Sequence, residues 1–319
     1  MKIAITGTRG LVGRHLAKTL LDEGHRVTIL GGNPEGCADG IRRHPNLSCH
    51  AVGESGGEAL QKGLAGCDAL AHCAAFPWQG KGNQGTINYP AAKTRLLMEA
   101  ARRAGVQRVA LAGFLRARPG CRIPWLENLW EAEEITRGAG MEHLVVKCGL
   151  VYGPGDDFVT PLAHGLAAWP LVVLPGNSGL PVRPVAVEEV TRLFRSFLVE
   201  RRPRWRTVAL TGPETVILRE AVERVAAAAG LRVTCLELPA GIRHTTAWIA
   251  EKVFRNPWVT PARLRVFAEP LDSPLPYGAS PPANLRPGIA FTAETLRKAL
   301  PSEAVRETTG FHEPRPYRR

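Results

Sequence analysis

Thr6-Gly7-Thr8-Arg9-Gly10-Leu11-Val12-Gly13 follows the apolar run Ile3-Ala4-Ile5 and opens onto Val12, Leu16, Leu20 and Leu21, apolar residues at a helical period. The stretch therefore reads as strand, glycine turn, helix. In G-x-x-G-x-x-G the first glycine permits the tight turn, the second lets a phosphate approach the backbone, and the third allows helix and strand to pack closely. The helix then presents unpaired N–H groups and the positive end of its dipole to an anion. A lone glycine triplet says little; one set between its own strand and helix points to a dinucleotide.

Outward from this stretch, short β-rich runs alternate with helical patterns. Strands are expected at Lys2–Thr6, His25–Leu30, Leu47–Val52, Ala69–Cys73, Arg108–Ala112 and Leu144–Val146. Helices are expected at Val12–Glu23, Glu58–Leu64, Ala91–Gly105 and Leu126–Gly138. This order predicts an α/β fold, a Rossmann-type doubly wound parallel sheet. Beyond Tyr152 the alternation loosens. Trp169–Gly176 reads as loops and short strands built around a site, helices remain legible at Val187–Leu198, Leu218–Gly230, Thr245–Phe254 and Ala290–Leu300, and the proline-rich Pro270–Pro287 reads as irregular. The expected division is a dinucleotide-binding domain over residues 1–160 and a smaller mixed α/β substrate lobe over 161–319, interleaved with the first.

Composition narrows the function. The 319 residues carry 41 Lys+Arg against 29 Asp+Glu, a formal charge of +12. The excess divides evenly between residues 1–150 and 151–319, so no basic arm stands apart for a nucleic acid. The run Arg201-Arg202-Pro203-Arg204-Trp205-Arg206 invites an RNA reading, but a charged connector between a helix and a strand is ordinary there. Seven scattered cysteines, none spaced C-x-x-C, argue against a disulfide framework or a zinc site. The N-terminus lacks a long apolar leader, and the longest apolar stretch, Leu162–Leu174, is too short and broken to span a membrane. A cytoplasmic protein is expected.

The end of the second strand, Leu30-Gly31-Gly32-Asn33, carries no carboxylate to accept hydrogen bonds from a ribose 2′-OH. Arg9 in the glycine turn and Arg42 and Arg43 beyond the strand are candidate partners of a 2′-phosphate. NADP(H) is therefore favoured over NAD(H).

Thr6–Gly13 resembles the N-terminal fingerprint of the extended and atypical short-chain dehydrogenase/reductases. Gly53-Glu54 is similar to the Gly-Asp that follows their third strand, and Ala71-His72-Cys73-Ala74-Ala75 to their fourth-strand signature. Val146–Asp156 resembles their R-P-x-x-V-Y-G-P-G-D loop, and Pro184–Val190 their P-V-x-V-x-D-V segment. The C-terminal hundred residues follow loosely, Val259–Leu264 resembling a helix start in the subgroup containing the NAD(P)H-holding accessory subunit of respiratory complex I. The resemblance implies cofactor contacts from Gly7, Thr8, Arg9, Gly10, Leu11, Val12, Gly13, Gly32, Asn33, Glu54, Ala74, Ala75, Cys148 and Val151.

The same resemblance exposes a departure. Catalytic members carry Tyr-x-x-x-Lys on the helix after the fifth strand and a Ser or Thr at that strand's end. Tyrosine is the acid/base, and lysine lowers its pKa. Aligned through Trp130-Glu131-Ala132-Glu133, those three positions hold Trp125, Leu129 and Ala112. The literal Tyr89-Pro90-Ala91-Ala92-Lys93 lies before the preceding helix, where the family has no such pair. His72 reads as a packed strand residue. Glu131, Glu133 and Glu134 read as a solvated helix face, with Glu131 within possible reach of the vacated position. The expectation is a nucleotide-holding, sensing or assembly protein with no catalytic set and no metal, whose further small-molecule or protein partner the sequence leaves open. The alternatives are an NAD(P)-dependent oxidoreductase or epimerase/dehydratase with other acid/base groups, and an RNA-binding protein on the same fold.

Overall fold

Seven parallel strands form the central sheet, in the spatial order Thr207–Leu210, Glu142–Cys148, Arg108–Phe114, Ala69–His72, Lys2–Thr6, Arg26–Gly31 and Leu47–Ala51. The computed structural model describes residues 1–33, 40–53, 57–73, 91–121, 123–175, 181–200, 206–238 and 278–300. The strands are β1 (Lys2–Thr6), β2 (Arg26–Gly31), β3 (Leu47–Ala51), β4 (Ala69–His72), β5 (Arg108–Phe114), β6 (Glu142–Cys148) and, after four short strands, β11 (Thr207–Leu210). β1, β4 and β5 are buried along nearly their whole length, as strands covered by helices on both faces must be. Strand order reverses beside β1, between β4 and β2, which fixes where a ligand crevice opens at the carboxyl edge.

Helix α1 (Leu11–Asp22) and α6 (Val187–Leu198) pack together on one face. Leu16, Leu20 and Leu21 of α1 and Val190, Leu193, Phe194 and Phe197 of α6 share one apolar cluster with β1 and β2. The other face carries α2 (Gly57–Leu64), α3 (Ala91–Arg103) and α4 (Pro124–Arg137). Beyond β6 come β7 (Val151–Tyr152), α5 (Val159–Ala168), β8 (Leu171–Pro175), β9 (Pro181–Val182) and β10 (Val185–Ala186). After β11 come β12 (Val216–Ile217), α7 (Leu218–Ala228), β13 (Thr234–Leu238) and α8 (Ala293–Ala299). One cluster joins Leu111, Phe114 and Leu129 to Phe158, Leu162, Val222, Phe291 and Leu296, so residues on both sides of position 160 share a core.

Residues 288–291 are strapped down by side chains. Glu189 Oε1 accepts the N–H groups of Gly288 and Ile289, at 2.5 and 3.0 Å. Glu214 accepts that of Phe291 at 2.6 Å, Arg224 donates to its carbonyl at 2.9 Å, and Tyr152 donates to Ala290 O at 3.3 Å. Tyr152 also meets the Phe291 ring edge-on at 4.9 Å.

Several expectations need correction. β5 runs to Phe114, two residues past the expected end, and β6 spans Glu142–Cys148. Helix α5 starts at Val159 and overlaps only the first half of the stretch read as an apolar run, Pro161 and Gly165 having hidden its period. The expected helix Thr245–Phe254, the segment Val259–Leu264 and most of the basic run 201–206 lie outside the described residues, and Pro270–Pro287 is described only from Gly278. There, Ala279 bridges Val208 of β11 and Ala283–Leu285 forms one 3₁₀ turn.

Candidate functional site

At the end of β1 the chain turns on Gly7, whose φ of +75° places it in the left-handed region open to glycine. The Gly10 N–H closes the turn on Gly7 O at 3.0 Å. A Cβ on Gly13 would stand 2.5 Å from that same Gly7 oxygen, so helix and turn are in backbone contact. Gly10 is the N-cap of α1 and offers no side-chain acceptor, and the first helical turn holds no acid. The leading N–H groups are thus left for an outside anion. Thr8 Oγ1 is buried beside them with no hydrogen-bond partner among the described residues. Leu11 and Val12 are buried beneath the helix start, while Arg9 is exposed. This cradle fits a dinucleotide pyrophosphate.

Gly31 closes β2, and Gly32 and Asn33 beyond it are exposed. A Cβ at either glycine would meet nothing, which leaves room beside the ribose position. Arg42 and Arg43 are exposed in the loop before β3. Glu54, Ala74, Ala75 and Tyr89 lie outside the described residues, and Lys93 is exposed on the first turn of α3. Cys148 and Val151, both buried, stand at the end of β6 and in β7. Burial pushes the Cys73 thiol, just past β4, up to about 12, and raises Cys148 likewise, so both remain thiols.

His72, at the end of β4, ties the glycine turn to the second helix layer. Its Nδ1 meets Thr6 Oγ1 at 2.7 Å, and its Nε2 meets Thr94 Oγ1 of α3 at 3.1 Å. Complete burial lowers its pKa to about 3, so the imidazole is neutral and packed, as expected.

The positions where the resemblance expects catalytic groups carry apolar side chains. Leu126 and Leu129 are fully buried in the cluster containing Phe114 and Phe158, and Trp125 packs on Phe114 with ring centroids 5.2 Å apart. Ala112, in β5, is buried as well. One turn further along α4, however, Glu133 contradicts the solvated face expected of it. It is fully buried, and its Oε2 accepts from Lys147 Nζ of β6 at 3.0 Å and from Arg137 at 2.9 Å. Its Oε1 has no hydrogen-bond partner among the described residues and lies 2.7 Å from where a Cβ on Gly113 would be. Lys147 also donates to Ala117 O at 2.7 Å and stands 5.1 Å over the Trp130 ring. Burial raises the Glu133 carboxyl and lowers the Lys147 ammonium, each charge opposing the other's shift.

Glu134 and Glu131 are exposed, and Glu131 lines a surface cleft of about 430 Å³ with Arg95 and Arg102 of α3. Sequence reasoning also missed Asn128, whose Oδ1 accepts the leading N–H of α3 from Ala91 at 2.8 Å. Among the described residues no group of His, Cys, Asp or Glu is arranged to hold a metal ion, and no helix is long and apolar enough to cross a membrane.

The parallel sheet, the glycine turn and the reversal of strand order beside it define a Rossmann-type α/β fold. Residues 3–113 match the model of the NAD dependent epimerase/dehydratase family. The chain is 27% identical over 256 residues to an uncharacterized Mycobacterium tuberculosis protein, a match covering 78% of this chain but 25% of that one. It is 26% identical over 278 residues to a putative dihydroflavonol 4-reductase of Synechocystis, covering 78% of each. The chain thus spans about a quarter of the length of the mycobacterial relative. Among solved structures, a Citrobacter triphenylmethane reductase superposes with a TM-score of 0.71 at 18% identity, over 94% of this chain and 99% of that one. A Bacillus cereus UDP-glucuronic acid 4-epimerase in complex with NAD superposes with a TM-score of 0.70 at 14% identity, over 96% and 99%. At these identities the structural likeness concerns the fold.

Proposed function

We propose that this chain holds NADP(H) across the carboxyl edge of its sheet and serves as a nucleotide-holding, sensing or assembly protein, without the acid/base chemistry of its catalytic relatives. The observation that carries this reading is the apolar plug. Where a reductase or epimerase would place tyrosine and lysine on α4, Trp125 lies against Phe114 and Leu129 is sealed in the core. Leucine has no ionisable group and the indole N–H of tryptophan does not ionise at working pH, so neither can act as a general acid or base. The glycine turn, the uncapped start of α1 and the buried Thr8 hydroxyl support the pyrophosphate site. The missing carboxylate after β2 and the exposed Arg9, Arg42 and Arg43 support the phosphorylated cofactor.

When bound, the nicotinamide supplies or accepts a hydride. The chain's own residues bind the pyrophosphate, orient the two nucleosides and exclude water at Leu129. Titration calorimetry with NADPH and NADH tests the reading: NADPH binds more tightly, and failure of both to bind overturns it.

A second reading is favoured by the reductases among the relatives and structural neighbours. Hydride transfer needs alignment of cofactor and substrate, and its proton can come from water. Steady oxidation of NADPH by a panel of ketones, aldehydes and quinones, at more than one turnover per chain, would establish an oxidoreductase instead.

A further inference from the structure

The turn Gly153–Asp156, which follows β7, is fastened to α1. Arg14 Nη2 donates to Pro154 O at 3.2 Å and to Gly155 O at 3.0 Å. His15 Nε2 lies 3.1 Å from Pro154 O. Because a carbonyl oxygen only accepts, that nitrogen carries the proton. Gly155 has φ +76°, and a Cβ there would stand 2.7 Å from the Arg14 guanidinium, so glycine is what admits the cation. Asp156 closes the turn from within, its Oδ2 accepting the Gly153 N–H at 3.0 Å and its Oδ1 those of Phe158 and Thr160 at 3.2 and 2.9 Å. A Cβ on Gly153 would lie 2.5 Å from Val187 of α6, so the turn has little room to move on that side.

Helix α1 therefore meets the carboxyl edge twice. Its N-terminus stands at the end of β1; one turn later its side chains hold the segment that leaves β6, across β4 and β5 from β1. A dinucleotide with its pyrophosphate on α1 spreads its two nucleosides in opposite directions along this edge, one towards β2 and one across β4 and β5 towards β6.

We propose that Arg14 and His15 are positioning residues for the nicotinamide half of the dinucleotide alone. They hold the Gly153–Asp156 turn, and through it Cys148–Tyr152, as the wall on which the nicotinamide riboside rests. This inference rests on the dinucleotide reading given above. Arginine suits the task because one weakly hydrated guanidinium serves two carbonyls and stays charged at any working pH.

The test compares two ligands on the full chain: NADPH, and 2′-phospho-ADP-ribose, which lacks nicotinamide. Arg14→Ala is expected to weaken NADPH by about tenfold, the loss of one good hydrogen-bonded contact, while 2′-phospho-ADP-ribose changes by less than about twofold. Arg14→Lys, which retains charge but serves one carbonyl, falls between, and carries the comparison if the alanine variant fails to fold. The emission of bound NADPH should shift towards that of free cofactor in both variants. Equal weakening of both ligands, or no change in either, overturns the inference. Wild type binding 2′-phospho-ADP-ribose but not NADPH also overturns it, whereas wild type binding neither overturns the dinucleotide reading itself.

Discussion

Replacing Lys147 by methionine probes how the edge of the sheet beside α4 is built. The ammonium and the Glu133 carboxylate are both 0% exposed, and the ammonium donates to Glu133 Oε2 at 3.0 Å and to Ala117 O at 2.7 Å. Methionine keeps much of the volume and removes both donations. What remains is a carboxylate with Oε1 unpartnered and Oε2 held by Arg137 at 2.9 Å, together with a carbonyl deprived of its donor. Stranding a buried charge costs about 3–5 kcal/mol. Arg137, 21% exposed, still offsets part of that charge, which places the expected loss near 3 kcal/mol, at roughly the lower end of that range.

Removing the carboxylate as well, in Glu133→Leu/Lys147→Met, should return stability to within about 1 kcal/mol of wild type, since apolar replacements of buried pairs are often neutral. Glu133→Leu strands the buried ammonium and should cost about 3 kcal/mol as well, so the cycle yields a coupling energy of about 5 kcal/mol, above the usual span for contacting residues. Urea unfolding at pH 7 reads all four variants. Acid gives a second arm: protonation relieves Glu133 once Lys147 is gone, so the deficit of Lys147→Met shrinks as pH falls from 7 towards 5. A single-variant loss below about 1 kcal/mol, with additive effects in the double variant, would refute the reasoning.

His72, lowered to about 3, stabilises the fold above pH 6.5, and that contribution drains away on acidification at about 1.4 kcal/mol per pH unit; wild type should show this slope relative to His72→Gln, and parallel curves would count against it. Asp156 is raised by burial to about 6, so its contribution has the opposite sign, growing as pH falls from 7 to 4 by about 2 kcal/mol; Asp156→Asn should remove that rise from the pH profile of urea midpoints. Gly13→Ala, which would push a Cβ to 2.5 Å from Gly7 O, should destabilise the fold by about 1–3 kcal/mol and abolish measurable NADPH binding by calorimetry; retained affinity would show that the turn can shift.

The front of the chain was legible because its signals are local. β1, the glycine turn and α1 each follow from adjacent residues, and the structure places them within a residue or so of the expected bounds. Glu133 was misread because three glutamates within four residues look alike by composition. The helical period separates them: Glu133 falls on the face of Leu126, Leu129 and Thr136, while Glu131 and Glu134 do not. Its partner Lys147 comes from a strand fourteen residues away, and no pattern within α4 announces it. Arg14 was passed over for the same reason, since its acceptors are carbonyls some 140 positions later.

The strap over residues 288–291 bears on which substitutions the chain can absorb. Every hydrogen bond that Glu189, Glu214, Arg224 and Tyr152 make there is to a peptide group, N–H or C=O, which every residue but proline supplies in full. The gripping side chains and the gripped backbone therefore obey different rules. Positions 288, 289 and 290 can drift in identity without loosening a single one of these bonds, provided no proline enters at 288 or 289. Exchanging either glutamate, by contrast, releases amide hydrogens that no neighbouring residue identity can satisfy. In a collection of related chains, variation should accumulate along the strap and be nearly silent at the four residues that hold it.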